Sequence, residues 1–205
     1  MNKVFIHPTA IVDTESIGKN VHIGPFCYIG RNVTIEDDCI LFGHCSIGAP
    51  AQYKPAVSEY DDRPITIGAG TEIREFVTIN RPTTGETHLG KKCLLMANVH
   101  IPHDCVTGDN VVFVVGAAIG GHTKIGSNCY IGLNATMHNK SELGDYSIIG
   151  ASSFFKGKAP GGLIWVGVPA RAIKVNTIGI VRNAPVELKD KIIIEAEEAL
   201  EVLKK

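Results

Sequence analysis

The chain has 205 residues, with 20 lysines and arginines against 21 aspartates and glutamates, so its formal charge of -1 gives no general attraction to nucleic acid or an anionic membrane. Its length suits one domain with a small appendage, and no run of about 18 apolar residues occurs, so no membrane span is expected. The opening MNKVFIHPTAIV lacks a basic head followed by an apolar run, which makes the cytoplasm the expected location.

From Phe5 onward, aliphatic residues recur every sixth position, at Ile11, Ile17, Ile23, Ile29, Ile35, Leu41 and Ile47. The polar, proline-bearing segment Ala49 to Pro64 interrupts them, and they resume at Ile67, Ile73 and Ile79. A second interruption, Asn80 to His88, follows. From Leu89 the pattern then runs unbroken to Phe155, with Thr107 its polar member. Loops as long as these two interruptions protrude and commonly carry function.

The position two residues before each large one is small, and all six cysteines fall on it: Cys27, Cys39, Cys45, Cys93, Cys105 and Cys129. They read as buried packing residues rather than as metal ligands or disulfide partners. Glycine often follows the aliphatic residue, as at Gly18, Gly24, Gly30, Gly126 and Gly144, which suits a tight turn at each corner.

A period of six matches neither a helix nor a half-buried flat strand. It predicts a mainly β fold, a parallel β-helix shaped as a triangular prism, in which three hexads close a coil of 18 residues. Coils stack at the strand spacing of about 4.8 Å. The repeat region spans 1–183. From Pro185, apolar residues at Leu188, Ile192, Ala196, Ala199 and Leu203 predict a short C-terminal helix over 184–205. Between Asp145 and Glu187 no acidic residue occurs, while Lys156, Lys158, Arg171, Lys174 and Arg182 accumulate as a patch suited to an anion.

Residues 18 apart in the unbroken run should lie on adjacent coils. His103 then sits beneath Gly121 and Asn139, Asp104 beneath His122, and Pro102 beneath Gly120 and His138. This corner offers an imidazole base at His103, a carboxylate at Asp104 to orient it, and a backbone N–H at Gly121 for a developing oxyanion. Direct attack of a substrate hydroxyl on an acyl thioester follows as the expected chemistry, with no protein nucleophile. The rival reading is a zinc centre built from His100, His103, His122 and His138. An open corner needs a second wall, and a triangular section suggests a threefold assembly with sites between chains.

With HxxHD in LLMANVHIPHDC, GGH at Gly120 to His122 and IREFVTINRPT at Ile73 to Thr83, the chain resembles the acyl-[acyl-carrier-protein]–UDP-N-acetylglucosamine O-acyltransferases of lipid A synthesis. The resemblance runs from Val4 to Ala184. It implies a left-handed parallel β-helix, an exception to the usual right-handed crossover, and a cytoplasmic homotrimer with neither a metal nor a bound cofactor. It further implies transfer of a (3-hydroxy)acyl group from acyl carrier protein thioester to the 3-hydroxyl of a UDP-N-acetylglucosamine-like sugar nucleotide. In that resemblance His103 is the general base, Asp104 its orienting partner and the Gly121 amide the oxyanion donor. His100, His122 and His138 line substrate and acyl chain, Asn176 and Arg182 lie on the nucleotide side, and Gln52 and Lys54 contact substrate from the first loop. Asn139 joins the substrate-binding set through the register.

The chain departs from the family pattern in several places. Asn80 stands where histidine is common, the Gln52-Tyr53-Lys54 segment is a residue shorter, and Ala151 replaces a frequent glycine. The tail holds one expected helix, and GVPARAIK resembles the ending of acetyl-CoA-dependent sugar acetyltransferases. Coenzyme A thioester is therefore the alternative donor, with a nucleotide-linked amino sugar as acceptor.

Overall fold

A computed structural model describes residues 3–54 and 63–204. The hexads give short strands and turns, and the strands align into three sheets of ten, eight and seven strands, parallel except for the last strand of the first, as the three faces of a prism. The first face carries His22–Ile23, Ile40–Leu41 and Leu94–Leu95 among its strands; the second carries Tyr28–Ile29, Thr78–Asn80 and His100–Ile101; the third carries Val33–Ile35, Thr87–Leu89 and Val106–Thr107. In the unbroken stretch Leu94 pairs with Val112, Val112 with Tyr130 and Tyr130 with Ile148, the expected step of 18 residues. The parallel β-helix read from the period is the fold.

The inward residues Ile23, Leu41, Ile73, Leu95, Phe113, Ile131 and Ile149 are fully buried along the first face. All six cysteines are buried and free. Burial pushes the Cys39 thiol up to about 11 and those of Cys105 and Cys129 to about 12, so these three are neutral packing groups, whereas the hydrogen bond with Cys45 lowers the Cys27 thiol to about 7. Thr107 is buried as well: its hydroxyl accepts from the Gly90 N–H at 3.2 Å and donates to the Gly108 carbonyl at 3.2 Å.

The turn geometry differs from expectation. The left-handed residue is the third after the inward one, as at Asp104 (φ 60°), Asn110 (φ 56°) and Asn128 (φ 59°). The glycines that follow the aliphatic residues serve close stacking instead. A Cβ at Gly126 would stand 2.6 Å from the Asp145 backbone nitrogen on the next coil.

The first coil is also phased differently. Phe5 pairs with His22 and Ile6 with Ile23, while Ile11 pairs with Tyr28 and Val12 with Ile29. Ile6 and Val12 therefore hold the inward positions, and Phe5 and Ile11 face out. Both sites are apolar pairs, so periodicity could not choose between their members, and the inward Val12 and Ile17 are five residues apart rather than six. The second loop is shorter than expected, because Thr87–Leu89 already pairs with Ile65–Ile67.

Beyond Phe155 the step falls to 16, with Glu142 opposite Lys158 and Ile148 opposite Ile164. The antiparallel hairpin Leu163–Gly167 and Ala170–Val175 then closes the first face. Helical structure begins earlier than residue 184, as helix α1 (Thr177–Asn183); a 3-10 turn (Val186–Leu188) and helix α2 (Lys189–Leu203) follow. Of the stripe read from sequence, Ala196 is buried, joined by Leu200, whereas Leu188 and Leu203 are exposed.

Candidate active site

The first loop, of which residues 55–62 lie outside the described residues, and the second loop both join the second face to the third, and His103 and Asp104 lie on the next coil of that corner. Asp104 takes the left-handed turn position, and its N–H donates to the Thr87 hydroxyl at 3.0 Å. The second loop encloses its carboxylate. Thr83 donates to Oδ2 through N–H at 2.9 Å and hydroxyl at 2.6 Å. Oδ1 receives the Thr84 N–H at 2.9 Å, the Thr84 hydroxyl at 3.1 Å and the Gly85 N–H at 2.7 Å. Burial alone would push this carboxyl up. The Thr83 hydroxyl and the amides of Gly85, Thr83 and Thr84 outweigh it and hold the group well below the usual carboxylate range.

His103 Nδ1 lies 2.8 Å from Asp104 Oδ2, with both residues 8% exposed. An ionised carboxylate can only accept, so Nδ1 carries a proton, and in the neutral imidazole Nε2 is the nitrogen with the lone pair. Gly121 faces that edge: a Cβ there would stand 2.7 Å from Nε2 and 2.6 Å from Cε1. Among the described residues the Gly121 N–H has no hydrogen-bond acceptor. The His122 ring crosses His103 edge-on with centroids 5.1 Å apart, and its Nε2 is 3.7 Å from Asp104 Oδ2. Tyr53 covers another side of the imidazole, centroids 5.5 Å apart. The arrangement can remove a proton at Nε2 beside an unengaged N–H donor.

His100 lies outward on the second face, its Nδ1 2.7 Å from the Thr78 hydroxyl. Burial, with the charge of His103 second, pulls it below the ordinary imidazole value. His138 and Asn139 are exposed on the coils above, His138 Nδ1 lying 3.1 Å from the Asn139 carbonyl. Gln52 and Lys54 are exposed on the first loop. The structure brings His103, Asp104, Gly121 and His122 together, but it sets Asn176 and Arg182 elsewhere. Those two line a cavity of about 680 Å³ against the first face, with Lys92, Asn110, Tyr130 and Ile178. Asn176 is buried as the cap of α1, its Oδ1 accepting from the Gly179 N–H at 3.1 Å and its Nδ2 donating to the Tyr146 carbonyl at 2.7 Å. Lys158 of the basic patch pairs with Glu142 at 2.8 Å.

Sequence reasoning missed Thr83, Thr84, Gly85 and Tyr53. They sit on insertions, where the 18-residue register has no meaning; the one available signal was the small polar run TTG facing an aspartate corner. As for metal, ligand atoms of His103, Asp104 and His122 lie within 4.8 Å of one another. Both Asp104 oxygens are nevertheless saturated by hydrogen bonds, three on each, which a cation would have to displace.

Residues 16–49 match the family model described as bacterial transferase hexapeptide (six repeats). The chain is 34% identical over 204 residues to the acyl-[acyl-carrier-protein]–UDP-N-acetylglucosamine O-acyltransferase of Sulfurovum sp., covering 89% of this chain and 78% of that one. Among solved structures it is similar to LpxA from Acinetobacter baumannii (TM-score 0.72, 26% identity, 98% and 95% covered). It is also similar to the UDP-N-acetylglucosamine O-acyltransferase of Moraxella catarrhalis (TM-score 0.67, 30% identity, 94% and 82% covered). The corner built around His103 therefore sits in an enzyme of known kind: the chain belongs to the acyl-[acyl-carrier-protein]–UDP-N-acetylglucosamine O-acyltransferase family and is an acyltransferase.

Proposed function

We propose that the enzyme moves a (3-hydroxy)acyl group from acyl carrier protein thioester to the 3-hydroxyl of UDP-N-acetylglucosamine or a close relative, by direct attack. His103 Nε2 takes the hydroxyl proton as the oxygen bonds to the thioester carbonyl carbon. The carbonyl oxygen becomes an oxyanion that accepts the Gly121 N–H. Collapse breaks the carbon–sulfur bond, and the imidazolium returns the proton to the departing thiolate. Asp104 holds the tautomer throughout. The observation that carries this reading is the 2.8 Å His103–Asp104 contact with Nε2 turned toward Gly121.

His100, His122, His138 and Asn139 line the reacting groups, Gln52 and Lys54 reach the acceptor from the first loop, and Asn176 and Arg182 take the nucleotide from a neighbouring chain. Support for that division comes from the corners. The corner between the first and second faces exposes Phe26 (59%), Phe76 (55%) and Leu133 (46%), whereas the corner between the third and first faces carries Lys19, Asp37, Lys91 and Asp109. Three chains meeting at the apolar corner turn the first face of each, with Asn176 and Arg182, toward the second face of the next. The homotrimer has its sites in those clefts, and it is cytoplasmic. Among the described residues no helix is long and apolar enough to cross a membrane.

The donor is tested by offering the purified enzyme 3-hydroxyacyl carrier protein and acetyl-CoA side by side with UDP-N-acetylglucosamine. Turnover with the carrier-protein thioester is expected. Turnover with acetyl-CoA alone contradicts it and supports the alternative acetyltransferase.

A further inference from the structure

Ile79 and Leu89 are ten residues apart, where an uninterrupted hexad spaces its inward residues by six. What the extra residues do is visible at Asp104. Equivalent left-handed turn residues on the prism, such as Asn98, Asn110 and Lys140, are exposed, whereas Asp104 is 8% exposed because the loop wraps it. Five donors of Thr83, Thr84 and Gly85 reach its two oxygens at 2.6–3.1 Å. Thr87, at the end of the insertion, fixes the backbone as well: its hydroxyl accepts from the Asp104 N–H at 3.0 Å and donates to the Asn80 carbonyl at 3.3 Å. The Asn80 amide in turn donates to the Pro50 carbonyl at 3.1 Å, which ties the first loop to the second.

A carboxylate whose lone pairs are already committed draws a neighbouring imidazolium less strongly than a bare one. We infer that Thr83, seconded by Thr84 and Gly85, is a positioning residue: its hydroxyl on Asp104 limits the pull of that carboxylate on the His103 proton and so, beside His122, Tyr53 and His100 that also face the ring, lowers the pH above which Nε2 is free to act. This rests on the general-base role proposed for His103. The Thr83 hydroxyl is the most telling donor, because it lies 2.6 Å from Oδ2 and 3.5 Å from His103 Nδ1, at the junction of the dyad.

The test compares Thr83→Val and Thr83→Ser with wild type in the pH profile of kcat/KM. Removing the hydroxyl is expected to move the acid limb to higher pH by about half a unit to one unit. Serine restores the wild-type limb. A folded Thr83→Val enzyme whose acid limb coincides with wild type overturns the inference, since a purely structural role lowers Tm without moving the limb. Thr84→Val, which removes the 3.1 Å bond to Oδ1, serves as the second variant, with a smaller shift in the same direction. Imidazole ¹⁵N titration of His103 in the substrate-free enzyme supplies an independent measurement. The midpoint is expected to rise in Thr83→Val and return in Thr83→Ser; an unmoved midpoint overturns the inference. Failure of the wild-type enzyme to use any acyl donor would count against the acyl-transfer reading alone.

Discussion

A methyl group added at position 121 has nowhere to go, because both Cε1 and Nε2 of His103 lie closer to its Cβ than real carbon contacts allow. Gly121→Ala is therefore expected to push the imidazole off the dyad and to obstruct the N–H beside it. Steady-state kinetics should show kcat reduced about 10²-fold or more with Tm little changed. The titratable residues give a pH signature. His100 titrates below 6.5 in the folded chain, so its neutral form is favoured there; its contribution to stability is full above 6.5 and is lost as pH falls below it. Asp104 titrates below 3.8, so its contribution is present above 3.8 and lost only as pH falls beneath that. Urea midpoints between pH 7 and pH 5 should decline for this reason, and less in His100→Gln. At this scale the sequence was readable wherever the register was intact. His103, Gly121, Asp104 and His122 were placed together by steps of 18, but Thr83 and Tyr53 were not, since an insertion's path depends on backbone geometry that no period encodes.

The hexad is the element of this fold, and its physical basis is the alternation of a large and a small inward residue with a left-handed turn between them. That alternation made the faces legible and explained the cysteines. It failed at Phe5 and Ile11, where two adjacent apolar residues made the phase ambiguous. Beyond Phe155 the hexad no longer governs, and there the sequence signal for α1 was an ordinary cap: Asn176 accepts from Gly179 and simultaneously ties the helix start to the Tyr146 carbonyl. The family resemblance assigns Asn176 to the nucleotide side and does not reveal this cap. Asn176→Ala is expected to lose the cap and leave a buried carbonyl less well satisfied, costing about 1–2 kcal/mol in chemical denaturation. If Asn176 served the nucleotide alone, stability would not change.

Across the whole molecule the two halves of the proposed site lie on different sides of one prism, His103 at the corner of the second and third faces and Arg182 against the first. An isolated chain would then be inactive. The exposed ladder in which Phe26, His44 and Phe76 stack at 5.0 Å intervals is the surface expected to meet its copies. Light scattering should give about three times the 22.0 kDa chain mass. Phe26→Asp combined with Phe76→Asp should yield a folded monomer without turnover. Whether His103 is the base for acyl transfer to a sugar-nucleotide hydroxyl is decided by single-turnover transfer from 3-hydroxyacyl carrier protein to UDP-N-acetylglucosamine, compared between wild type and His103→Ala. A loss of about 10²-fold or more is expected in the variant, with its fold and assembly intact. A His103→Ala enzyme that transfers the acyl group at the wild-type rate would contradict it.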